Sequence, residues 1–282
     1  MAVEALPVSV LILTLNEEAN LEACVAALAG FDDVVVLDSF SSDGTVALAE
    51  RLGARVYQRR FDTFAAQRNH GLEHLELRHD WVLHLDADEV MTPALREEIA
   101  GAIREGRFDA YRIPSKLMFE GRWLRRSGMY PTYQVRLGRR AALRFSQVGH
   151  GQREALAPER VGTLREPYLH HSFSKGLADW FERHNRYSTD EAAESVARLQ
   201  GDTRTDWAGL FSRVPTRRRR ALKALSVFLP FRPTLRFLYM YVLRRGFLDG
   251  RAGWTYCRLL ALYEYMIVLK TRERLRQAKG KV

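Results

Sequence analysis

The first 113 residues alternate between short runs of aliphatic and β-branched residues and longer segments with helical periodicity. Runs without polar alternation are typical of strands buried on both faces of a sheet. The predicted strands span residues 8–13, 33–37, 54–58, 81–85 and 109–113. Strands that alternate with helices predict a mostly parallel sheet covered by crossover helices, which is an α/β fold.

Capping residues predict where the helices between these strands begin and end. Asn16 is expected to cap the first helix, and Ser42 or Asp43 the second. Thr92 is followed by a proline that suits a first helical turn, so a further helix is expected from there to about Gly106.

Beyond residue 175 the pattern becomes helical and the charge changes sign. Residues 204–282 carry 19 Lys+Arg against 4 Asp+Glu, whereas residues 1–203 carry 25 against 30. The parts before and after residue 203 are therefore expected to face different partners. The change to a helical pattern predicts two regions, 1–175 and 176–282.

The C-terminal region contains three apolar blocks, at 224–231, 237–243 and 254–269. None reaches the roughly 18–20 apolar residues that span a bilayer. The blocks are predicted to lie in a membrane interface instead. The aromatic residues expected at headgroup depth are Trp254, Tyr256, Tyr263 and Tyr265.

Four consecutive arginines, Arg217, Arg218, Arg219 and Arg220, precede the first apolar block. At about 1 kcal/mol for each basic residue near an anionic leaflet, they would contribute about 4 kcal/mol to membrane attachment. Nucleic acid is a poorer fit, because it would leave the apolar blocks exposed.

The two cysteines, Cys24 and Cys257, have neither disulfide-framework nor metal-finger spacing, and the first residues lack a basic signal-peptide region. We expect a reducing cytoplasm.

Four polar motifs are predicted at the ends of consecutive strands, where open parallel sheets bind ligands. They are T-L-N-E-E from Thr14, D-S-F-S-S-D-G-T from Asp38, A-Q-R-N-H-G from Ala66 and L-D-A-D-E from Leu85. In the last motif Asp86 and Asp88 suit a hard cation, Mn²⁺ or Mg²⁺, that neutralises a departing nucleoside diphosphate. A solvated acidic turn is the alternative.

Together these motifs resemble those of the family-two glycosyltransferases of GT-A fold. Segments 128–140, 185–189 and 246–253, with L-H-H-S-F near residue 171, resemble the lipopolysaccharide-core β-1,4-glucosyltransferase branch. The resemblance implies a Rossmann-like GT-A catalytic domain over 1–175, with a nucleotide-sugar half to about residue 115 and an acceptor half after it.

The resemblance also implies roles for individual residues. Asp88 would bind the metal, and Asp86 would contact the ribose or a metal-bound water. Asp38 would recognise the base, and Arg68 would contact base or phosphate. The other implied positions are Thr14, Asn16 and Glu17 in the nucleotide-sugar pocket and His171 as a further metal ligand, with a buried structural histidine as its alternative.

Inverting transfer needs a general base that takes the proton of the acceptor hydroxyl. Related enzymes of this branch often have His-Glu here, but Gly151 follows His150 in this chain. We predict Glu154 as the base, with Glu120 as an alternative and His150 shaping the acceptor site. The predicted phosphate or acceptor contacts are Arg136, Gln134 and Tyr130, with an exposed strand arginine as the alternative for Arg136.

The predicted function is inverting transfer of a sugar from a nucleoside diphosphate, expected to be UDP, to a membrane-associated glycan. The acceptor would be lipopolysaccharide core or a lipid-linked oligosaccharide, at the cytoplasmic face of a bacterial inner membrane. A nucleotidyltransferase, a D-x-D phosphatase and a non-catalytic membrane scaffold are the alternatives. The acidic T-L-N-E-E loop disfavours the first of these.

Overall fold

The computed structural model describes residues 5–148, 151–201, 206–212 and 215–280. The chain divides into two compact units. The N-terminal unit contains Met1–Trp123 and Met129–Lys175, and the C-terminal unit contains Leu124–Gly128 and Gly176–Val282. The division after residue 175 coincides with the predicted boundary, whereas the inclusion of 124–128 in the C-terminal unit was not predicted.

The N-terminal unit is built on a mixed sheet. Its strands are β1 (Leu6–Thr14), β2 (Phe31–Asp38), β3 (Arg55–Gln58), β4 (Trp81–Asp86), β5 (Glu89–Val90), β6 (Ala110–Phe119), β7 (Arg122–Trp123), β8 (Thr132–Arg139), β11 (Val161–Thr163) and β12 (Tyr168–His170), and a separate hairpin contains β9 (Phe145–Val148) and β10 (Gly151–Glu154).

Within the described residues, the main sheet has the order β3-β2-β1-β4-β8-β6-β12-β5. Strands β1 to β4 run parallel, whereas β8 is antiparallel to both β4 and β6. The predicted α/β fold, with a mostly parallel nucleotide half, is confirmed.

Hydrophobic residues of this sheet are buried on both faces. Val10 and Ile12 of β1 belong to one core cluster, and Leu11 belongs to the cluster on the opposite face. This two-sided burial explains why the strand sequences show continuous apolar runs.

Four helices accompany the sheet: α1 (Glu18–Ala26), α2 (Thr45–Arg51), α3 (Phe64–His74) and α4 (Pro93–Glu105). The predicted start of α4 is confirmed, because Thr92 Oγ1 accepts a hydrogen bond of 3.2 Å from the N–H of Leu95. Its predicted end is also confirmed, since Gly106 follows the last turn with a φ of 60°.

The predicted caps of the first two helices were wrong. Glu17, not Asn16, precedes the first residue of α1, and Gly44 precedes the first residue of α2. The motif that begins at Ala66 lies inside α3 rather than at a strand end. Asn16 cannot extend a helix because its φ of 55° is left-handed.

The C-terminal unit is helical, with α5 (Gly176–Leu199), α6 (Pro215–Ser226), α7 (Arg232–Leu238) and α8 (Gly250–Ala278). Helices α7 and α8 are joined by an ion pair of 2.6 Å between Arg232 Nε and Glu264 Oε2. The Asp249 carboxylate, just before α8, accepts N–H groups of Arg126 at 2.9 Å and Ser127 at 2.7 Å. These bonds account for the membership of 124–128 in this unit.

The described helices include none that is long and apolar enough to cross a membrane. The arginine quartet lies in α6, where the Arg218 side chain is exposed, whereas those of Arg217, Arg219 and Arg220 lie outside the described residues. Of the four aromatic residues predicted at headgroup depth, Trp254 and Tyr265 are exposed, whereas Tyr256 and Tyr263 are half-buried and the Tyr263 ring contacts that of His184. Their position in a membrane stays a prediction.

A buried carboxylate holds together the amino-terminal ends of β1 and β2. Asp33 accepts hydrogen bonds from Ser9 Oγ at 2.5 Å, the Arg78 N–H at 2.9 Å and the Arg55 guanidinium at 2.7 Å. Burial alone would raise the pKa of Asp33, but these donors outweigh it and lower the pKa.

Replacing Asp33 by Ala should lower the free energy of unfolding by about 1–3 kcal/mol, because buried donors lose their acceptor. Because the pKa of Asp33 is lowered in the folded state, its stabilisation of the wild type is fully present above about pH 4 and declines as the pH falls. The difference between wild type and variant should therefore shrink at acidic pH. Urea unfolding at neutral and acidic pH measures both effects. Asp62→Ala is the control, since Asp62 pairs with Arg59 at the exposed surface. Equal destabilisation by both variants would contradict the prediction.

Candidate active site

The predicted polar residues meet at the carboxyl ends of three neighbouring strands. In the strand register, Thr14 lies opposite Asp38, and Leu13 lies opposite Asp86. The motifs leaving β1, β2 and β4 therefore share one edge of the sheet, as the sequence predicted.

Hydrogen bonds join the loop after β1 to the loop after β2. The Asn16 N–H donates to Ser41 Oγ, and the Ser42 N–H donates to Asn16 Oδ1, each at 2.8 Å. The Glu17 N–H donates to Thr45 Oγ1 at 2.8 Å. Asn16 thus connects the two loops instead of capping a helix.

The D-G-T part of the second motif has a structural explanation. The Gly44 N–H donates to Glu18 Oε2 at 2.9 Å, and a Cβ at Gly44 would lie 2.4 Å from Glu18 Oε1. Asp43 Oδ1 accepts from the Thr45 N–H at 3.0 Å. A side chain at Gly44 would displace the Glu18 carboxylate from this position, and Asp43 stabilises the turn into α2.

Asp38 is fully buried, and its carboxylate has four protein donors. Thr14 Oγ1 donates at 2.9 Å, the Ser41 N–H at 2.8 Å and Gln58 Nε2 at 3.2 Å, and Ser41 Oγ also donates. A carboxylate offers about four acceptor positions. In this structure Asp38 therefore fixes the shape of the loop, and its predicted contact with a base stays a prediction.

Four buried or half-buried charges surround the end of β4. The Asp86 carboxylate accepts from Arg68 and Arg136, each at 2.6 Å. Arg136 also binds Glu89, and Glu89 accepts the Asp86 N–H at 3.0 Å. We call these four side chains the charge quartet. Arg68 comes from α3, Arg136 from β8 and Glu89 from β5, so the quartet ties three elements to β4.

The charge quartet shifts the pKa of its members in opposite directions. Burial would raise the pKa of Asp86, but Arg136 and Arg68 hold it far below its usual range. Burial raises the pKa of Glu89 to about 7, although Arg136 favours its charged form. Asp86 is therefore the carboxylate that carries the negative charge most firmly.

The two arginines are buried more deeply than their predicted roles imply. Arg68 is 1% exposed and Arg136 is 2% exposed. Their guanidinium groups bind carboxylates of the protein rather than facing solvent, so the alternative of an exposed Arg136 was wrong. Their contacts with phosphate, base or acceptor stay predictions.

Asp88 lies in the turn that follows β4, and its nearest charged partner is His170. Their Nε2 and Oδ2 atoms are 3.3 Å apart. His171, which the sequence singled out, donates its backbone N–H to the Asp88 carbonyl at 2.8 Å. Burial alone would lower the pKa of His170, but the hydrogen bond and charge of Asp88 raise it to about 9.

The donor set around Asp88 fits a divalent cation that is completed by a ligand. Within the described ranges, no group of three His, Cys, Asp or Glu side chains could form a full metal cage. Mg²⁺ and similar cations are commonly held by one or two carboxylates together with substrate phosphates. Asp88 supplies a carboxylate, and His170 would supply an imidazole only after a cation displaces its proton, whereas Asp86 is already bound by two arginines.

Lys175 is a site residue that the sequence analysis missed. Its Nζ donates to Glu17 Oε1 at 2.5 Å, and Asn20 Nδ2 donates to Glu17 Oε2 at 2.7 Å. Burial raises the pKa of Glu17, although Lys175 and Asn20 favour its charged form. The pairing joins residues 158 positions apart, so no local motif could reveal it.

Comparison with known families identifies the family to which this chain belongs. The model of the family described as "Glycosyl transferase family 2" matches residues 9–154, which is more than half of the chain. The chain is a member of glycosyl transferase family 2. Family membership favours sugar transfer over the nucleotidyltransferase and phosphatase alternatives.

Two curated relatives illustrate the range of similarity. The chain is 31% identical to the lipopolysaccharide core biosynthesis glycosyltransferase LpsC of Rhizobium meliloti (strain 1021), over 68% of this chain and 72% of LpsC. It is 33% identical to an uncharacterized glycosyltransferase of Rickettsia bellii (strain RML369-C), over 39% of this chain and 38% of that protein.

Solved structures resemble the glycosyltransferase more distantly. S. aureus TarS 1–349 in complex with UDP-GlcNAc has 18% identity and a TM-score of 0.43, covering 92% of this chain and 91% of TarS. Glucosyl-3-phosphoglycerate synthase from Mycobacterium tuberculosis, in complex with Mn²⁺ and UDP-glucose, has 18% identity and a TM-score of 0.43, covering 58% and 71%. The family assignment rests on the sequence comparisons.

The residues predicted for the acceptor side of the glycosyltransferase lie on β6 to β8. The Tyr130 ring contacts that of Trp123 at 4.9 Å, and Lys116 Nζ lies 4.6 Å from the Trp123 ring centroid. Gln134 is exposed on β8. The cluster offers aromatic faces next to a cation, and its contact with an acceptor stays a prediction.

The predicted general base lies in the β9–β10 hairpin. Glu154 ends β10 and pairs with Phe145 of β9, and the Phe145 ring lies 5.9 Å from the Arg68 guanidinium carbon. His150 lies outside the described residues. The alternative, Glu120, is exposed in the turn between β6 and β7. The role of Glu154 stays a prediction.

Asp86→Asn and Asp88→Asn should differ in stability. Asp86→Asn leaves Arg68 and Arg136 with one full carboxylate between them, so we expect a loss of about 2 kcal/mol. The loss is smaller than for a completely buried pair because the Asp86 side chain is 34% exposed. Asp88→Asn should cost less than about 1 kcal/mol. Chemical denaturation measures both, and equal losses would contradict the assignment of Asp86 to the charge quartet.

Proposed function

We propose that this glycosyltransferase transfers a hexose, with inversion, from a UDP-sugar to a glycan acceptor held at a membrane. The observation that carries the proposal is the convergence of Thr14, Asp38, Asp86 and Asp88 at one sheet edge. LpsC, whose name places it in lipopolysaccharide core biosynthesis, supports lipopolysaccharide core or a lipid-linked oligosaccharide as the acceptor.

The loops after β1 and β2 provide the proposed nucleotide pocket. Asn16 and Glu17 line it, and the buried Asp38 fixes its floor through Thr14 and Ser41. Because these loops are already hydrogen-bonded to each other, little ordering is required when the donor binds. A preformed pocket favours tight donor binding.

A divalent metal, Mn²⁺ or Mg²⁺, fits the proposed donor site. Asp88 would hold it, with His170 and the predicted His171 as candidate further ligands, and the metal would neutralise the developing charge of the diphosphate. The charge quartet keeps Asp86 ionised and fixed two residues away. Lys175 is the cation at this edge that can turn from Glu17 towards a phosphate.

The proposed base takes the proton of the acceptor hydroxyl as the acceptor attacks the anomeric carbon from the face opposite the diphosphate. Glu154 is our candidate, with His150 shaping the acceptor site. Gln134, Tyr130 and Arg136 remain the candidate contacts on the acceptor side. Transfer is expected at the cytoplasmic face of a bacterial inner membrane, because the C-terminal region is strongly basic.

A thermal-shift panel of UDP-, GDP-, dTDP- and ADP-sugars, with and without Mn²⁺, tests the donor. A UDP-sugar should raise the melting temperature in a metal-dependent manner, because a ligand that binds only the folded state stabilises it. Asp88→Asn should remove the metal dependence and reduce transfer by at least a hundredfold, about 2.7 kcal/mol of transition-state stabilisation. Full transfer by Asp88→Asn, or stabilisation by another nucleotide alone, would overturn the proposal.

Lys175→Met should weaken UDP binding about tenfold, because a charge-assisted hydrogen bond is worth about 1.5–3 kcal/mol. Calorimetric titration with UDP and Mn²⁺ measures the effect, and Lys175→Arg should restore most of the affinity. Lys279→Met, which removes an exposed cation after α8, is the matched control. If Lys175→Met binds UDP as tightly as the wild type, Lys175 does not contact the phosphates, and its role is limited to the ion pair with Glu17.

A further inference from the structure

The C-terminal unit has a line of exposed apolar residues along α7 and the π-helical turn Tyr239–Leu243 that continues it. Successive members are separated by four, three, one, three and one residues, which places them on one side of a helix. We call them the apolar ridge: Phe231, Leu235, Leu238, Tyr239, Val242 and Leu243. Phe231 and Leu243 are 79% and 74% exposed, and the other members are 43–50% exposed.

The opposite side of the same segment is anchored in the unit. Arg232 is buried and paired with Glu264 of α8, and Met240 is completely buried. The rings of Phe237 and Tyr241 both contact Trp254, with centroids 5.2 and 5.1 Å away. The anchored side determines which residues point outward, so the exposure of the ridge follows from the packing of the segment.

The charges near the ridge are strongly biased. Between residues 228 and 264 the chain has six arginines and two carboxylates, Asp249 and Glu264. Asp249 accepts the N–H groups of Arg126 and Ser127, and Glu264 pairs with Arg232. Both carboxylates are therefore engaged inside the unit. The exposed arginines of this stretch are Arg245, two residues after the last ridge member, and Arg251 and Arg258 of α8.

Exposed apolar side chains in a stretch whose exposed charges are arginines match an anionic lipid surface. Monomeric proteins rarely expose large continuous apolar patches without a partner. Nucleic acid would complement the arginines but leave the ridge in water. A second copy of this chain would bring like charges together. An anionic bilayer accommodates both, since its acyl boundary accepts apolar residues and its headgroups attract arginine.

We propose that the apolar ridge inserts into the headgroup region of an anionic leaflet and is the main membrane-binding element of this chain. The inference deepens the proposed function, on which it rests for the membrane location of the acceptor. It narrows the sequence-based expectation, which assigned attachment to the arginine quartet and to all three apolar blocks, to one line of exposed residues within and between the blocks 224–231 and 237–243.

Vesicle flotation of the full chain tests the ridge. The wild type should float with phosphatidylcholine vesicles that contain phosphatidylglycerol, and binding should weaken without phosphatidylglycerol or at high salt. The double variant Phe231→Asn, Leu243→Asn should reduce partitioning at least tenfold. Asparagine is chosen because it tolerates the left-handed φ of 54° at Phe231.

Phe61→Asn is the matched control, because Phe61 is 45% exposed but belongs to the N-terminal unit. It should leave flotation unchanged. The inference is overturned if the double variant, folded by thermal melting, floats as the wild type does, or if the wild type does not bind vesicles. It is also overturned if the wild type forms a dimer in lipid-free solution that the double variant abolishes, since the occupant would then be a second copy.

Donor binding in lipid-free buffer separates this inference from the proposed function. The double variant should retain the UDP-sugar thermal shift of the wild type. A wild type that binds donor but not vesicles would refute the ridge and leave the donor assignment intact. A wild type that binds vesicles but no nucleotide-sugar would refute the proposed function and leave the ridge intact.

Discussion

The charge quartet at the end of β4 is the interaction on which the candidate active site depends. Two arginines and two carboxylates leave water together, and the desolvation cost is offset only when each charge faces an opposite one at short distance. Arg68, Asp86, Glu89 and Arg136 meet this condition across elements up to 68 positions apart in sequence. Their pairing fixes the strand end, and therefore the position from which Asp88 emerges. Buried charges of this chain thus orient the residue that we propose as the metal ligand.

The same edge combines rigid and adaptable parts. Asp38 has protein donors for all its acceptor positions, and the loops after β1 and β2 hold each other through Asn16 and Ser41. In contrast, Asp88 is paired with His170, the last residue of β12, and Glu17 is paired with Lys175, which follows that strand. The contrast separates groups that fix the loops from groups that, in the proposed function, exchange a protein partner for a ligand.

Much of the fold follows from local patterns, because burial on both faces produces the apolar runs of β1, β2 and β4, and Thr92 and Gly106 mark α4 by their capping chemistry. The motifs also predicted that Asp38 and Asp86 meet at one edge. What could not be predicted depends on long-range pairing. Nothing local shows that Arg68 is buried against Asp86, or that His170 rather than its neighbour His171 pairs with Asp88. The composition of α8 also does not reveal which of its faces is covered, so the half-burial of Tyr256 and Tyr263 beside the exposed Trp254 and Tyr265 could not be predicted.

The five residues Leu124–Gly128 have a consequence for how this architecture can change. In sequence they lie between two strands of the main sheet, yet they belong to the unit formed by the helices after Lys175. There the Asp249 carboxylate accepts the Ser127 N–H, and a Cβ at Gly246 would lie 3.3 Å from Ser127 Cβ. A gene rearrangement that replaced everything after Lys175 would leave these five residues without the Asp249 carboxylate that accepts their N–H groups. The C-terminal helices therefore cannot be exchanged independently, and the two parts of the chain are expected to be inherited together.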